Sequence, residues 1–275
     1  MNRTELYRQW LQEEDAARMK GWDFFHLRGR YEEEQDLPWD YAQVVRAFLQ
    51  PDRKLLDMDT GGGEFLLSLK HPHNKTSATE GWPPNADLCR RRLSPLGIRF
   101  EQADGEGPLP FADGTFDLTL NRHGSYDPAE ISRLLRPGGT FITEQVGAKN
   151  DRELVELLLG ELPLPFPQQT LACAAEAVKS AGLRVLRGEE AFRPIRFWDI
   201  GALVWFARVL PWEFPGFSVD TCREQLYRAQ EILEQNGVVE GTIRPWPAPA
   251  QYGADAAKRL RRPAVFSWAF PAARW

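Results

Sequence analysis

The chain has 275 residues, 43% of them hydrophobic, enough for one sizeable α/β core with additions but too few for several large domains. No apolar run approaches the ~20 residues that span a bilayer, and the start, Met1-Asn2-Arg3-Thr4-Glu5, lacks the basic-then-apolar layout of a secretion signal. A net charge of −5 argues against a nucleic-acid partner, and three scattered cysteines imply neither a disulfide scaffold nor a zinc site. A cytoplasmic location without membrane contact is expected.

The first fifty residues read as an amphipathic helical cap. Leu6, Trp10 and Leu11 share one helix face, Val44, Val45, Phe48 and Leu49 another, and Pro51 stops the second helix. Between them lies an aromatic-rich stretch from Gly21 to Tyr41 that suits either a flap over a pocket or a plug over a sheet edge.

Leu55-Leu56-Asp57-Met58-Asp59-Thr60-Gly61-Gly62-Gly63-Glu64-Phe65-Leu66 then runs from an apolar strand through spaced carboxylates and glycines into a helix start. Strand, glycine turn and helix make a nucleotide crevice at the carboxyl end of an open sheet, because glycine lets the backbone turn tightly and approach a ligand closely. A dinucleotide site wants a third glycine three residues after Gly63, where Leu66 stands, so a nicotinamide cofactor is disfavoured.

Further along, the strand-like Thr76–Thr79 ends in Glu80-Gly81-Trp82, twenty-three residues after Asp57. A carboxylate there can accept from two ribose hydroxyls, and Trp82 offers an apolar plate. Ile98–Ala103 reads as a third strand ending in Asp104-Gly105, and Leu109–Leu120 resembles a known family's approach to its fourth strand, followed by Asn121-Arg122-His123-Gly124-Ser125-Tyr126. Asp127-Pro128 opens a helix, and Pro137-Gly138-Gly139 turns into a fifth strand.

These motifs resemble the class I S-adenosylmethionine-dependent methyltransferases, in particular a type 11-like branch with small-molecule and ubiquinone-pathway-type enzymes. The resemblance covers about residues 40–190. Asp57, Asp59, Gly61 and Gly63 fall on the D-x-G-x-G-x-G positions, with Asp59 where the first glycine usually stands. The departure is tolerable, because aspartate enters positive φ at modest cost.

The resemblance implies S-adenosyl-L-methionine as cofactor. Asp57, Asp59, Gly61, Gly63, Glu80, Gly81, Trp82, Asp104, Gly105 and Asn121 would bind it. Glu80 would take the ribose and Asp104 the adenine amine. The end of the fourth strand would face the transferable methyl, which makes His123 the candidate general base. Turn formation by the acidic residues, and a spacer role for His123, are the plainer readings of the same positions. No metal is implied, since His71-Pro72-His73 has no third ligand nearby.

The implied fold is a doubly wound, mostly parallel, seven-stranded Rossmann-like sheet with helices on both faces. Residues 1–50 would cap it, 51–190 would form the cofactor-binding core, and 191–275 would be an aromatic-rich helical insertion with the last strand or strands of the same domain. Helices are expected over Asp151–Leu159 and Gln168–Ala181, with Gly182 as a left-handed cap. Two more follow, one from Asp199 to Leu210 and one opened by a Thr221–Glu224 capping box and ending before Gly237. The last strand is Val238–Arg244 or Ala264–Phe270, and residues 245–250 read as a loop.

The expected activity is methyl transfer to oxygen or nitrogen of a small-molecule acceptor by a monomer or homodimer. The absence of N-P-P-Y after the fourth strand lowers adenine and glutamine amides as acceptors. The alternatives are an RNA base methyltransferase, favoured by Arg90-Arg91-Arg92 and the basic run from Lys258 to Arg262, or a non-catalytic cofactor-binding regulator.

Overall fold

A computed structural model describes residues 2–18, 24–33, 39–105, 107–243 and 245–254. In chain order the elements are α1 (Arg3–Ala16), β1 (Tyr31–Glu33), α2 (Tyr41–Phe48), β2 (Leu55–Met58), α3 (Glu64–Ser68), β3 (Thr76–Thr79), α4 (Pro83–Leu93), β4 (Arg99–Glu101), β5 (Phe116–Arg122), α5 (Pro128–Leu134), β6 (Leu135–Val146), α6 (Arg152–Leu159), α7 (Leu171–Ser180), β7 (Leu183–Glu189), β8 (Arg193–Phe197), α8 (Ile200–Val209), α9 (Arg223–Asn236), β9 (Val239–Ile243) and β10 (Pro245–Ala254). They divide into two compact units, one of residues 1–37, 147–168 and 192–245, the other of residues 38–146, 169–191 and 246–275.

The second unit is a Rossmann-like α/β sheet in the order β4-β3-β2-β5-β6-β10-β7. Strands β4, β3, β2, β5 and β6 are parallel, while β10 runs antiparallel to β7. Side-chain alternation along a strand explains the two layers of helices. Leu55, Ala78, Leu118, Leu120 and Ile142 pack with Tyr41 and Val45 of α2, Leu66 of α3, and Cys89 and Leu93 of α4. Leu56, Met58 and Phe141 pack instead with Ile131 and Leu134 of α5 and Val178 of α7. Helix α2, assigned from sequence to the cap, lies in this unit because its apolar face supplies part of the sheet's core.

Local signals place several helices. Asp127 caps α5 through its side chain and Ala129 N (2.8 Å), with Pro128 at the first helical position. Thr170 caps α7 in the same way through Cys173 N. Gly182 takes φ +83° just past α7.

The first unit has its own core around Trp10, Leu27, Phe197, Trp205, Phe206 and Phe214, and its own sheet in the order β1-β8-β9. The aromatic density after residue 190 is spent here, on edge-to-face contacts such as Phe197–Phe206 at 5.2 Å. Within the presumptive flap, Phe24 and Tyr31 pack against this core, while residues 19–23 and 34–38 lie outside the described residues. Asp199 caps α8 through Ala202 N (2.8 Å).

Three local readings change. The Thr221–Glu224 box does not form: Cys222 is the N-cap of α9, and Thr221 turns its hydroxyl back to Ser218. Val239–Ile243 is a strand, but it pairs with β8 in the first unit's sheet. Residues 245–250, read as a loop for their prolines, belong to β10, which pairs with β7 through register shifts that suit such a sequence. The other candidate strand, Ala264–Phe270, lies outside the described residues. Among those residues, no helix is long and apolar enough to cross a membrane.

Candidate cofactor and active site

The carboxyl ends of β2, β3, β4 and β5 form the rim where the sequence sets its carboxylates and glycines. Three residues after β2 enter the left-handed region: Asp59 at φ +53°, Gly61 at +64° and Gly63 at +78°. The turn is fastened on both sides. Thr60 N donates to Thr79 O at the end of β3 (3.0 Å), and Thr60 Oγ1 donates to Asp57 Oδ2 (2.6 Å). From α4, the Cys89 thiol donates to Gly61 O (3.0 Å) and Arg92 to Gly62 O (2.6 Å). Sequence reading missed both clamps, which reach across thirty residues to backbone atoms.

Glu80 follows β3 and is buried. Its Oε2 accepts from Gly61 N (2.7 Å) and its Oε1 from Trp82 N (2.9 Å). The carboxylate therefore braces the glycine turn as well as facing the rim, and each oxygen keeps a second lone pair for a ligand hydroxyl. Asp104 stands exposed after β4, against Gly81, where an added Cβ would lie 2.8 Å from the Asp104 Cβ.

The four carboxylates lie close enough at this rim to act on one another. Burial, then the charges of Glu80, Asp104 and Asp57, push Asp59 well above the usual carboxylate range. Burial also lifts Asp57 to about 6, against the opposing pull of the Thr60 hydroxyl and Arg122, and raises Glu80. Such an anionic rim suits a cationic ligand, because a positive charge relieves the repulsion that its own residues create.

Gly105 brings two rim loops together. A Cβ there would stand 1.9 Å from Ser125 O, a backbone atom that cannot swing away. Gly105→Ala is expected to destabilise the protein by about 2–3 kcal/mol through overpacking and to weaken cofactor binding as the loops part. Urea denaturation and calorimetry read both effects, and wild-type values in each would refute the close approach.

Asn121, expected among the cofactor contacts, is fully buried. Its Oδ1 accepts from Gln145 Nε2 (2.6 Å), and its amide donates to Met58 O and Ser125 O (3.4 Å each). Asn121 thus ties the end of β2 to the loop after β5. Gln145 and Thr143 of β6, joined at 2.8 Å, complete this network and carry no local motif by which sequence could single them out.

His123 follows β5 at φ +61°, held by its N–H to Glu144 O (2.9 Å). Its ring is 30% exposed, and Nε2 lies 3.8 Å from Glu144 Oε1, within ion-pair reach but beyond a hydrogen bond. Glu144 Oε2 in turn accepts from the Trp39 indole (3.0 Å). His71 and His73 are taken up locally, with ring nitrogens at 2.8 Å from Arg53 O and 3.1 Å from Leu96 O.

Comparison with known proteins agrees with this geometry. Residues 56–143 match the family model of the methyltransferase domain, from the second residue of β2 into β6. The chain is 33% identical over 118 residues to a demethylmenaquinone methyltransferase of Thermus thermophilus, covering 39% of this chain and 53% of the relative. It is 31% identical over 140 residues to a fatty-acid O-methyltransferase of Mycolicibacterium smegmatis, covering 47% and 46%. The chain thus spans about half the length of the curated relatives it matches. The fold is that of YcgJ from Bacillus subtilis (TM-score 0.54, 15% identity, 78% of this chain and 98% of that one). A candidate methyltransferase of Bacillus halodurans shares it too (TM-score 0.53, 14% identity, 78% and 99%). Residues 56–143 therefore match the methyltransferase domain, on a Rossmann-like fold shared with solved structures.

Proposed function

We propose that the protein transfers a methyl group from S-adenosylmethionine to an oxygen or nitrogen of a small-molecule acceptor. The observation that carries this reading is the anionic sheet rim where Asp57, Asp59, Glu80 and Asp104 act on one another and Glu80 binds the glycine turn. The relatives add support, since those named act on demethylmenaquinone and fatty acids. When bound, the cofactor supplies an electrophilic methyl on a good leaving group.

The protein's part is then to hold, orient and exclude water. Glu80 would accept from the ribose hydroxyls while keeping the Gly61 turn in place. Asp104 would accept from the adenine amine, with Trp82 as an apolar plate. The amides of the glycine turn would approach the ligand where any side chain would hold it away. His123, beside Glu144 at the end of β5, would take the acceptor's proton where the acceptor is protonated at neutral pH. The protein would work in the cytoplasm as a monomer or homodimer, a reducing setting that suits free Cys89, Cys173 and Cys222.

The test is formation of S-adenosylhomocysteine with quinol, fatty-acid and phenol acceptors, alongside short RNA and NAD binding as controls. Turnover with a small acceptor supports the reading, whereas turnover on RNA alone, or binding of NAD in place of S-adenosylmethionine, overturns it. In the same assay His123→Ala is expected to lower kcat by about 100-fold, the lower end of general-base contributions, with cofactor affinity unchanged. Wild-type turnover would remove His123 from the chemistry.

A further inference from the structure

Asp59 occupies a position where the resembled pattern has glycine, and the structure accommodates the added carboxylate in a specific way. The residue takes φ +53° and aims its side chain at the loop after β5. There Gly124 makes room for it: a Cβ on Gly124 would lie 2.3 Å from Asp59 Oδ2 and 2.6 Å from Asp59 Cβ. Asn121, held by Gln145 (2.6 Å), braces the same loop through Ser125 O (3.4 Å). The group is fixed, at the junction of the β2 and β5 loops.

Its surroundings are anionic. Glu80, Asp104 and Asp57 all act on it, and together with burial they raise its affinity for a proton, as expected for a carboxylate short of positive charge. Arg122, on the same rim, spreads its guanidinium over the Phe65 ring (5.2 Å) and the Tyr41 ring (5.8 Å).

The cofactor and its demethylated product share adenine, ribose, amino and carboxylate groups. They differ by one methyl and one positive charge. Residues that grip the shared parts, Glu80 among them, cannot tell the two apart. A carboxylate fixed near the reacting end can. Resting on the reading above, we propose that Asp59 is a charge-selective residue of the cofactor-binding rim, favouring the sulfonium of S-adenosylmethionine over the neutral thioether of S-adenosylhomocysteine. Product then leaves a site that no longer holds the charge the carboxylate attracts.

The test is calorimetry of the full chain with each ligand at mildly alkaline pH and low salt. Asp59→Asn keeps the size but removes the charge. It is expected to weaken S-adenosylmethionine binding about tenfold, the size of one partly screened charge pair, and to change S-adenosylhomocysteine binding less than about twofold. The wild-type preference is expected to shrink as salt rises. Asp59→Gly puts the residue most at home at positive φ in this place and is expected to fold and to give the same loss of preference. If both ligands weaken equally in either variant, or if the preference is unchanged, Asp59 is not the selective group. If wild type binds neither ligand, the methyltransferase reading itself fails, an outcome distinct from a wild type that binds both.

Discussion

Glu80→Ala is expected to weaken S-adenosylmethionine binding by about 2–3 kcal/mol, some thirty- to hundredfold or more. Two losses add. The substitution removes the acceptor proposed for the ribose, and it strips the partners from Gly61 N and Trp82 N, which its two oxygens hold at 2.7 and 2.9 Å. A buried amide left unpaired costs more than the bond itself contributes. The glycine turn, released on that side, would still be held by Thr60 N on Thr79 O and by Cys89 and Arg92 on its carbonyls, so the fold should survive. Glu80→Gln retains one acceptor oxygen and is expected to fall between the two. Calorimetry decides: equal affinity in Glu80→Ala and wild type would dismiss both the brace and the ribose contact.

Glu213→Gln is expected to stabilise the first unit at about pH 8 by ~2 kcal/mol, and to give no gain at about pH 4.5. Asp151 precedes α6 at φ +50°, its N–H donating to Thr242 O (3.1 Å) and its side chain buried. Asp151 Oδ2 accepts from the Asn150 amide (2.9 Å), and the same amide lies 3.5 Å from Glu213 Oε1. Among the described residues, Asp151 Oδ1 has no hydrogen-bond partner.

Burial, followed by Glu213, Glu33 and Glu153, pushes Asp151 well above the usual carboxylate range. Burial lifts Glu213 to about 7 against the Asn150 hydrogen bond, and Arg193 stands 3.8 Å from Glu33. The sign follows from proton counts. The native state holds protons that the unfolded chain releases above ordinary carboxylate values. Stability is therefore greatest at low pH and declines as pH rises toward and through 7. A glutamine cannot ionise, so the variant keeps its stability where wild type loses it. Thermal denaturation across that range should show a flatter profile and a melting temperature about 3–6 °C higher at the alkaline end; superimposable profiles would sink the idea.

The sequence alone determined the order and type of most elements, and with them the Rossmann-like fold of the second unit. Local chemistry was sufficient there. Asp127-Pro128, Thr170 and Asp199 write their helix starts in side-chain caps, Gly182 writes a helix end, and alternating apolar residues write the strands. The spacing from Asp57 through Gly63 to Glu80 and Asp104 follows from one fixed unit of strand, turn and helix, so those positions reach one rim. Trp39, Glu144, Gln145, Cys89 and Arg92 were not legible, because each meets its partner from a distant part of the chain and no local pattern marks the meeting. The burial of Asn121 beside Gln145 was likewise set by packing and not by its place at a strand end.

The same limit explains the termini. Val239–Ile243 has strand character in either sheet, and which one it joins depends on which edge lies open beside it, here β8. The first unit is drawn from three separated stretches of chain. Its aromatic core is a property of their assembly, and the individual segments show only that they are rich in Trp and Phe. Periodicity and capping act over a few residues and can be read in a line. The pairing of edges, the burial of carboxylates and the closing of loops over one another depend on three-dimensional neighbours, and the folded structure decided those.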